Sequence, residues 1–175
     1  MTPFEFTLKF TLPEGEPNAE CYIEKLAMVG CDDALIGIDQ PGRIALQFTR
    51  AANDASSAIL SAIHDIKKAI PDAQLTEATP DLVGITDIAE LLGFSRQNMR
   101  KLILNNSHNF PIPVHEGKSS IWHLAKVLKW FTEERQRPVD PTLLDTAYTT
   151  MQVNLTRERE NIDPALQSRM AALIS

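Results

Sequence analysis

The chain has 175 residues, and its 17 Lys and Arg against 23 Asp and Glu give a formal net charge of −6 at pH 7. This length allows one or two domains with a buried core, and 43% hydrophobic residues with 23% charged ones are typical of a globular protein rather than a disordered one. The acidic balance argues against nonspecific coating of nucleic acid or of an anionic membrane, but it is compatible with a local basic surface.

Several classes of protein are disfavoured by what the sequence lacks. Cys21 and Cys31 are the only cysteines and form no CxxC motif, so neither a zinc site nor a disulfide framework is indicated. No secretory signal pattern is present, and no apolar stretch approaches the roughly 18 residues of a membrane span, so we expect a cytoplasmic protein without membrane contact. The absence of a phosphate-binding glycine loop, a nucleophile elbow and paired carboxylates predicts that it is neither an enzyme nor cofactor-dependent.

The first 75 residues predict a β-α-β-β-α unit. Strict alternation of apolar and polar residues over 4–12 is typical of a strand, and two shorter strands follow at 34–38 and 44–48. One helix begins after Asn18, and a longer one begins at Asn53 or Asp54 and ends at Pro71. The economical packing is a three-stranded antiparallel or mixed sheet with two helices on one face.

The connections of this unit are predicted as turns at residues 13–17 and 39–42 and a linker at 72–80. We expect the unit to make the protein a homodimer, through its exposed sheet edge or its helices. Alternatively it binds a small ligand or a partner protein, because five carboxylates cluster near one end: Glu14, Glu16, Glu20, Asp32 and Asp33. A solvated acidic face is the simpler interpretation of that cluster.

Two short helices at a tight turn are predicted at residues 85–105. Ile88 and Leu92 lie on one face of the first helix, Gly93 ends it, and Ser95 caps the second. The outer side of the second helix is polar and basic, with Arg96, Gln97, Arg100 and Lys101, and Ser95 and Asn98 stand at its start. Arg can bond guanine and Gln can bond adenine in the major groove, while Lys can hold a phosphate.

The spacing of this segment resembles the helix-turn-helix pattern. Counting from Ile85, the small residue Ala89 is fifth, where two helices cross closely, and Gly93 is ninth, where the chain turns. A strand at 110–114, a tip at 116–118, a returning strand at 119–123 and a helix at 124–131 follow.

This order of elements is similar to the AlpA and excisionase group of winged helix-turn-helix proteins, which are related to MerR. The resemblance covers about fifty residues and implies a DNA-binding module over residues 81–137. It also implies that the hairpin at 114–122 contacts the DNA backbone as a wing, with Lys118 at its tip. Glu116 offsets the charge of Lys118, whereas such wings are often more basic.

The charge distribution agrees with a DNA-binding role for this segment alone. Residues 81–137 contain eight Lys and Arg against six Asp and Glu, a net charge of +2. Residues 1–80 have six against twelve, a net of −6, and residues 138–175 have three against five, a net of −2. The last segment predicts a helical arm, with short, weakly amphipathic helices that pack on a neighbouring subunit, on the wing domain or on a partner.

We therefore expect an α+β protein with three parts: a dimerisation or partner-binding domain (1–75), a winged helix-turn-helix domain (81–137) and a C-terminal arm (138–175). The expected function is a sequence-specific transcriptional regulator of prokaryotic or phage type that binds double-stranded DNA. The predicted DNA-binding residues are Ser95, Arg96, Gln97, Asn98, Arg100, Lys101 and Lys118. The alternative is an antitoxin or adaptor whose helix-turn-helix and acidic domain bind a protein partner.

Overall fold

The computed structural model describes residues 1–15, 18–38 and 40–175 of an α+β protein. Its strands are β1 (Thr2–Thr11), β2 (Ala34–Gly37), β3 (Arg43–Ala52), β4 (Gln74–Thr79), β5 (Leu82–Val83) and β6 (Trp122–His123). Its α-helices are α1 (Ile23–Met28), α2 (Ala55–Ala69), α3 (Ile85–Leu92), α4 (Arg96–Asn105), α5 (Leu124–Glu133), α6 (Pro141–Glu158) and α7 (Pro164–Ile174). The predicted turns at 13–17 and 39–42 include Glu16, Pro17 and Asp39, which lie outside the described residues.

The first hydrophobic cluster is built on an antiparallel sheet with the strand order β2-β3-β1-β4. The alternation that predicted β1 places its apolar residues on the inner face, where Phe6 stacks on Phe48 of β3 with ring centroids 5.2 Å apart. Helices α2 and α6 both contact this sheet and each other, so they cover the same face. Asp54 caps α2, its carboxylate accepting a hydrogen bond from the backbone N–H of Ser57 at 2.7 Å.

The linker predicted at residues 72–80 is wrong, because most of it forms β4. This strand pairs with β1 through a register shift at Lys9 and Phe10, which leaves Thr76 without an opposite residue. The shift turns Leu75 and Ala78 towards the same core although they are three residues apart. The sheet therefore has four strands rather than three, and the first cluster extends to Ala78.

The second hydrophobic cluster joins α3, α4, α5 and part of α6. Gly93 ends α3 with φ +72°, a conformation that glycine adopts without the steric cost of a Cβ, and α4 begins three residues later. Met99 of α4 is fully buried against this cluster. The two-residue strands β5 and β6 pair with each other and hold the start of α5 close to that of α3.

The strand predicted at residues 110–114 is not formed, although a small hairpin is. Pro111 and Pro113 have no backbone N–H to donate, so pairing begins only at Val114, whose N–H donates to the Ile121 carbonyl at 2.7 Å. A single bridge between His115 and Ile121 continues it. Of the returning strand predicted at 119–123, only Trp122 and His123 are in a strand, and they pair with β5.

The arm predicted at residues 138–175 divides into two unlike halves. Helix α6 packs on β1, β4 and α2 and also on α5, so it touches both hydrophobic clusters. Its Asn154 side chain donates to the Ala78 carbonyl at 2.7 Å and to the Asp81 carboxylate at 2.8 Å. The other Asp81 oxygen lies 2.7 Å from His123 Nδ1. Helix α7, by contrast, is exposed along its whole length.

Candidate nucleic-acid interface

The candidate interface begins at the turn between α3 and α4. Ser95 has an extended backbone and caps α4, its hydroxyl oxygen accepting a hydrogen bond from the Asn98 backbone N–H at 3.1 Å. The inner side of α4 is anchored by Met99, with Leu102 and Ile103 partly buried beside it. This anchoring fixes which side of α4 faces the solvent.

The outer face of α4 brings together four of the predicted site residues. Arg96, Gln97, Arg100 and Lys101 are all exposed. With 3.6 residues per turn, they fall within an arc of about 140° that runs from Arg96 to Lys101. These side chains can therefore reach one surface together, whereas Asn98 lies about 60° beyond the edge of this arc and is a flanking residue.

The cations of this face are Arg96, Arg100 and Lys101. Within the described ranges 1–15, 18–38 and 40–175, no hydrogen bond or ion pair engages the side chains of Arg96, Arg100 or Lys101. Helix α4 itself contains no acidic residue. An Arg or Lys in this setting keeps all its hydrogen-bond donors available to an anionic partner.

Leu104 is a residue of this face that the sequence reasoning missed. It lies one turn beyond Arg100, near the middle of the arc, and is 64% exposed. The signal in the sequence is that a leucine falls on the polar side of an otherwise amphipathic helix. An apolar side chain among bidentate donors can contact the methyl group of thymine.

The hairpin between residues 114 and 121 carries Lys118 near its tip. Lys118 is exposed and, in the described chain, has no side-chain partner. The ring of His115 packs against Gly117 at the tip of the hairpin. A Cβ at position 117 would stand only 2.8 Å from His115 Nε2, so the ring occupies the space that a side chain would need. Two apolar residues of the same region, Ile112 and Val114, are 87% and 56% exposed.

Aromatic packing holds the base of the hairpin in place. Trp122 is buried, and its indole N–H donates to the Pro111 carbonyl at 2.9 Å. Phe110 meets the rings of Trp122 and Trp130 edge to face, with centroid distances of 5.9 and 4.9 Å. The hairpin is thus attached to α5 through a rigid aromatic cluster.

Two other cations of the 81–137 segment, Arg137 and Lys129, are already engaged. Arg137 donates to the Leu92 carbonyl at 2.6 Å, and its guanidinium lies 4.3 Å from the centre of the Phe94 ring. Lys129 lies 3.8 Å from the Glu133 carboxylate. The positive charge that remains exposed and unpaired includes the α4 face and Lys118, with Lys126 and Arg135 elsewhere in the segment.

The predicted acidic cluster includes a carboxylate that already has a structural partner. Asp33 accepts two hydrogen bonds from Arg50, at 2.7 and 3.0 Å. Among the described residues, no three His, Cys, Asp or Glu side chains are arranged to hold a metal ion. In those same residues, no helix has both the length and the apolar character needed to cross a membrane.

No protein-family model, curated protein or solved structure matches this chain.

Proposed function

We propose that this chain is a sequence-specific DNA-binding transcriptional regulator of prokaryotic or phage type. The observation that carries this proposal is the outer face of α4, where three exposed cations and Gln97 share one surface and have no partner among the described residues. A helix of this kind presents the donors that bind phosphates and base edges. The confinement of net positive charge to residues 81–137 supports the same role.

In this proposal α3 and α4 form a helix-turn-helix, and α4 enters the major groove. Three features support it: Ala89 is buried where the helices meet, Gly93 has positive φ at the turn, and Met99 anchors α4 from its inner side. The hairpin at 114–121 then serves as the wing, with Lys118 against the sugar-phosphate backbone. Such a wing makes few contacts, because it carries one lysine beside Glu116.

The side chains of α4 have different roles in this arrangement. Arg96 and Arg100 are placed for bidentate contacts to guanine, Gln97 for adenine, and Lys101 for a phosphate. Leu104 contacts a thymine methyl group. Ser95 and Asn98 contribute at the start of the helix, although the Ser95 oxygen already accepts the capping hydrogen bond.

The test is DNA affinity, measured by fluorescence anisotropy with a labelled random-sequence duplex between about 50 and 200 mM salt. The Arg96→Ala, Arg100→Ala double variant is compared with a charge-matched control, Lys126→Ala, Arg135→Ala. Both control residues are exposed and unpaired in the described chain but lie outside α4 and the hairpin. We expect salt-dependent binding by the wild type, weaker binding with a smaller salt dependence for the α4 variant, and little change for the control. Absence of binding at low salt, or equal losses in both variants, would contradict the proposal.

A second candidate is an antitoxin or adaptor that uses the same surface to bind a protein. The exposed apolar side chains of Leu104, Ile112 and Val114 favour it, because protein interfaces combine such groups with arginine. This alternative predicts no salt-dependent DNA affinity. It also predicts that Leu104→Glu weakens binding of the protein partner, because a charge then replaces an apolar contact.

A further inference from the structure

Helix α7 (Pro164–Ile174) is well formed but buries none of its residues against its own chain. Asp163 caps it, its carboxylate accepting hydrogen bonds from the N–H groups of Ala165 and Leu166 at 3.0 and 3.1 Å. An isolated helix of eleven residues is marginal in water, and helices of this length are usually stabilised by packing of an apolar face. Such a face is present on α7.

The apolar face of α7 is a narrow stripe. Leu166, Met170 and Leu173 follow one another at intervals of four and three residues, and Ile174 lies beside them. Their exposed fractions are 44%, 42%, 83% and 80%. Ser168 lies on the opposite side of the helix, where the neighbouring residues Pro164, Ala171 and Ala172 are small.

A groove that suits such a helix lies between α2 and α6. It has a volume of about 750 Å³ and a floor formed by Phe10 of β1 and Leu75 of β4. One wall is a single face of α2, running from Ser56 through Leu60 to Lys67. Leu60 is 60% exposed, and Tyr148 on the α6 wall is 55% exposed, so the groove leaves large apolar groups in the solvent.

The groove and the helix agree in length. The α2 wall of the groove spans the twelve residues from Ser56 to Lys67, about 18 Å of helix, and the eleven residues of α7 span about 16.5 Å. A long trough between two helices is the shape that receives an amphipathic helix. The one charged side chain of α7 is Arg169, at the edge of its stripe, so the contact between groove and helix is mainly apolar.

A short connection joins α6 to α7 beside one end of the groove. Glu160 lines the groove, so α7 begins close to one end of it. Only Ile162 and Asp163 lie between the preceding 3-10 turn (Arg159–Asn161) and α7. Both are engaged: the Ile162 N–H donates to the Arg159 carbonyl at 3.1 Å, and the Asp163 carbonyl accepts from Gln167 at 2.8 Å. None of the side chains that line the groove belongs to α7, so α7 stays outside the groove of its own chain in the described structure, and a second copy can supply it.

We propose that α7 of a second copy of this chain occupies the groove between α2 and α6, and that the exchange is reciprocal. Leu166, Met170 and Leu173 of one copy then pack against Leu60 and Tyr148 of the other, and two-fold symmetry buries both grooves and both stripes in one closed dimer. This surface is separate from α4 and the hairpin, so the inference goes beyond DNA binding and does not depend on it.

The test is the mass of the intact protein in solution, measured by sedimentation equilibrium over a range of concentrations. The wild type is expected to be a dimer, and Met170→Glu on the helix or Leu60→Glu in the groove is expected to give a monomer. Ser168→Glu, which adds the same charge to the back of α7, should remain a dimer. Because Met170, Leu60 and Ser168 are exposed, these variants should retain the wild-type circular dichroism spectrum.

Mixing the two monomeric variants distinguishes exchange from other interfaces. The Leu60→Glu chain keeps a normal α7 and the Met170→Glu chain keeps a normal groove, so one of the two exchange contacts can form between them. We expect native mass spectrometry to detect a heterodimer in the mixture at a concentration where neither variant dimerises alone. A monomeric wild type would overturn the proposal, whether its groove is empty, is filled by its own α7 or binds a small ligand. So would a dimer that Met170→Glu leaves intact, or a mixture without heterodimer.

Discussion

Arg50 in the sheet region and the arginines of α4 are the same residue type in opposite surroundings. Arg50 is buried under α2 and bonds to Asp33, Asp65, Ser61 and the Gly30 carbonyl at 2.6 to 3.1 Å. Its guanidinium also lies 4.9 Å from the centre of the Phe48 ring. Arg96 and Arg100 are exposed, and within the described chain their side chains have no partner.

The difference separates an arginine whose side chain stabilises the fold from arginines whose side chains are open to the solvent. Burial by itself would lower the pKa of Arg50, but the hydrogen bonds that it donates to the Asp33 and Asp65 carboxylates, together with their negative charge, outweigh burial and raise that pKa, so the group stays charged. Every donor that Arg50 has is committed to the fold. The donors of Arg96 and Arg100 are uncommitted, which costs nothing in water but provides binding energy when an anion arrives.

The largest effect that tests this contrast is expected from Arg50→Ala. Removing the guanidinium leaves two carboxylates, Asp33 and Asp65, close together without their partner, and we expect a loss of about 3 kcal/mol in the free energy of unfolding. Urea denaturation measures it. Arg43→Ala, on the same strand but exposed, should change stability by less than about 0.5 kcal/mol. Equal losses of unfolding free energy from Arg50→Ala and Arg43→Ala would show that the buried, hydrogen-bonded arginine contributes no more to stability than an exposed one.

Asn154→Ala tests the contact between the two regions. It deletes the hydrogen bonds to both backbone groups of Ala78 and to the buried Asp81 carboxylate, so we expect a loss of about 1–3 kcal/mol in unfolding free energy. The comparison is Gln167→Ala, an exposed amide on α7, with an effect near zero. Denaturation followed by tryptophan fluorescence measures both, because Trp122 and Trp130 lie in the second cluster. A stability equal to that of Gln167→Ala would show that α6 is not held by this network.

Arg96→Ala should weaken DNA binding and leave the free energy of unfolding unchanged, whereas Arg50→Ala should lower the free energy of unfolding. Loss of a bidentate base contact costs ~1–3 kcal/mol, which is roughly a 5- to 150-fold weaker affinity for the preferred sequence. Anisotropy titrations against the preferred duplex and single-base variants measure it. Relaxed discrimination at one base pair would assign Arg96 to a base. A uniform loss over all sequences would assign it to a phosphate instead.

Lys118→Ala should have a smaller effect on binding than the α4 substitutions. A single phosphate contact predicts that the slope of log affinity against log salt falls by about one, equally for all DNA sequences. Titrations at several salt concentrations measure this slope. An unchanged slope would mean that the hairpin tip does not reach the DNA backbone.

The smallest effect concerns the thiols of the sheet region. Burial raises the pKa of Cys31 from 9.0 to about 11, against the opposing influence of Arg50, whereas Cys21 is exposed. The folded state therefore binds the Cys31 proton more tightly than the unfolded state does. The resulting contribution to the free energy of unfolding is fully present below pH 9 and is lost as the pH rises towards 11. With Ellman's reagent at pH 8 we expect one reactive thiol per folded chain and two after unfolding. Two fast thiols in the folded protein would contradict this burial.

Much of the fold could be predicted because hydrophobic period and capping residues act locally. β1, α2, α3 and α4 were confirmed, since strict alternation, Asp54, Gly93 and Ser95 determine their type and their ends. β4 was missed because the register shift opposite Lys9 and Phe10 breaks the two-residue alternation that identifies a strand.

The length and packing of α6 were missed for a different physical reason. Its buried side is partly threonine: Thr146, Thr149 and Thr150 are buried. The hydroxyls of Thr146 and Thr150 donate to carbonyls of Thr142 and Pro80, so these polar side chains pack inside without an unpaired group. Because threonines form part of its buried side, α6 has a weak hydrophobic periodicity, and the sequence did not predict its packing.

The candidate site could be predicted only as residue types on a helix face. Helical spacing was enough to place Arg96, Gln97, Arg100 and Lys101 on one surface. That Arg137 is engaged by Leu92 and Phe94, and that Leu104 stands among the α4 cations, depends on tertiary contacts that no local pattern contains.

The most direct test of the central claim is selection of bound sequences from a random duplex pool by the wild type and by the Arg96→Ala, Arg100→Ala variant. We predict a recurring motif that the wild type enriches and the variant does not, and two spaced copies of it if the dimer presents two α4 helices. No enrichment by the wild type at low salt would contradict a sequence-specific DNA-binding role for the α4 face.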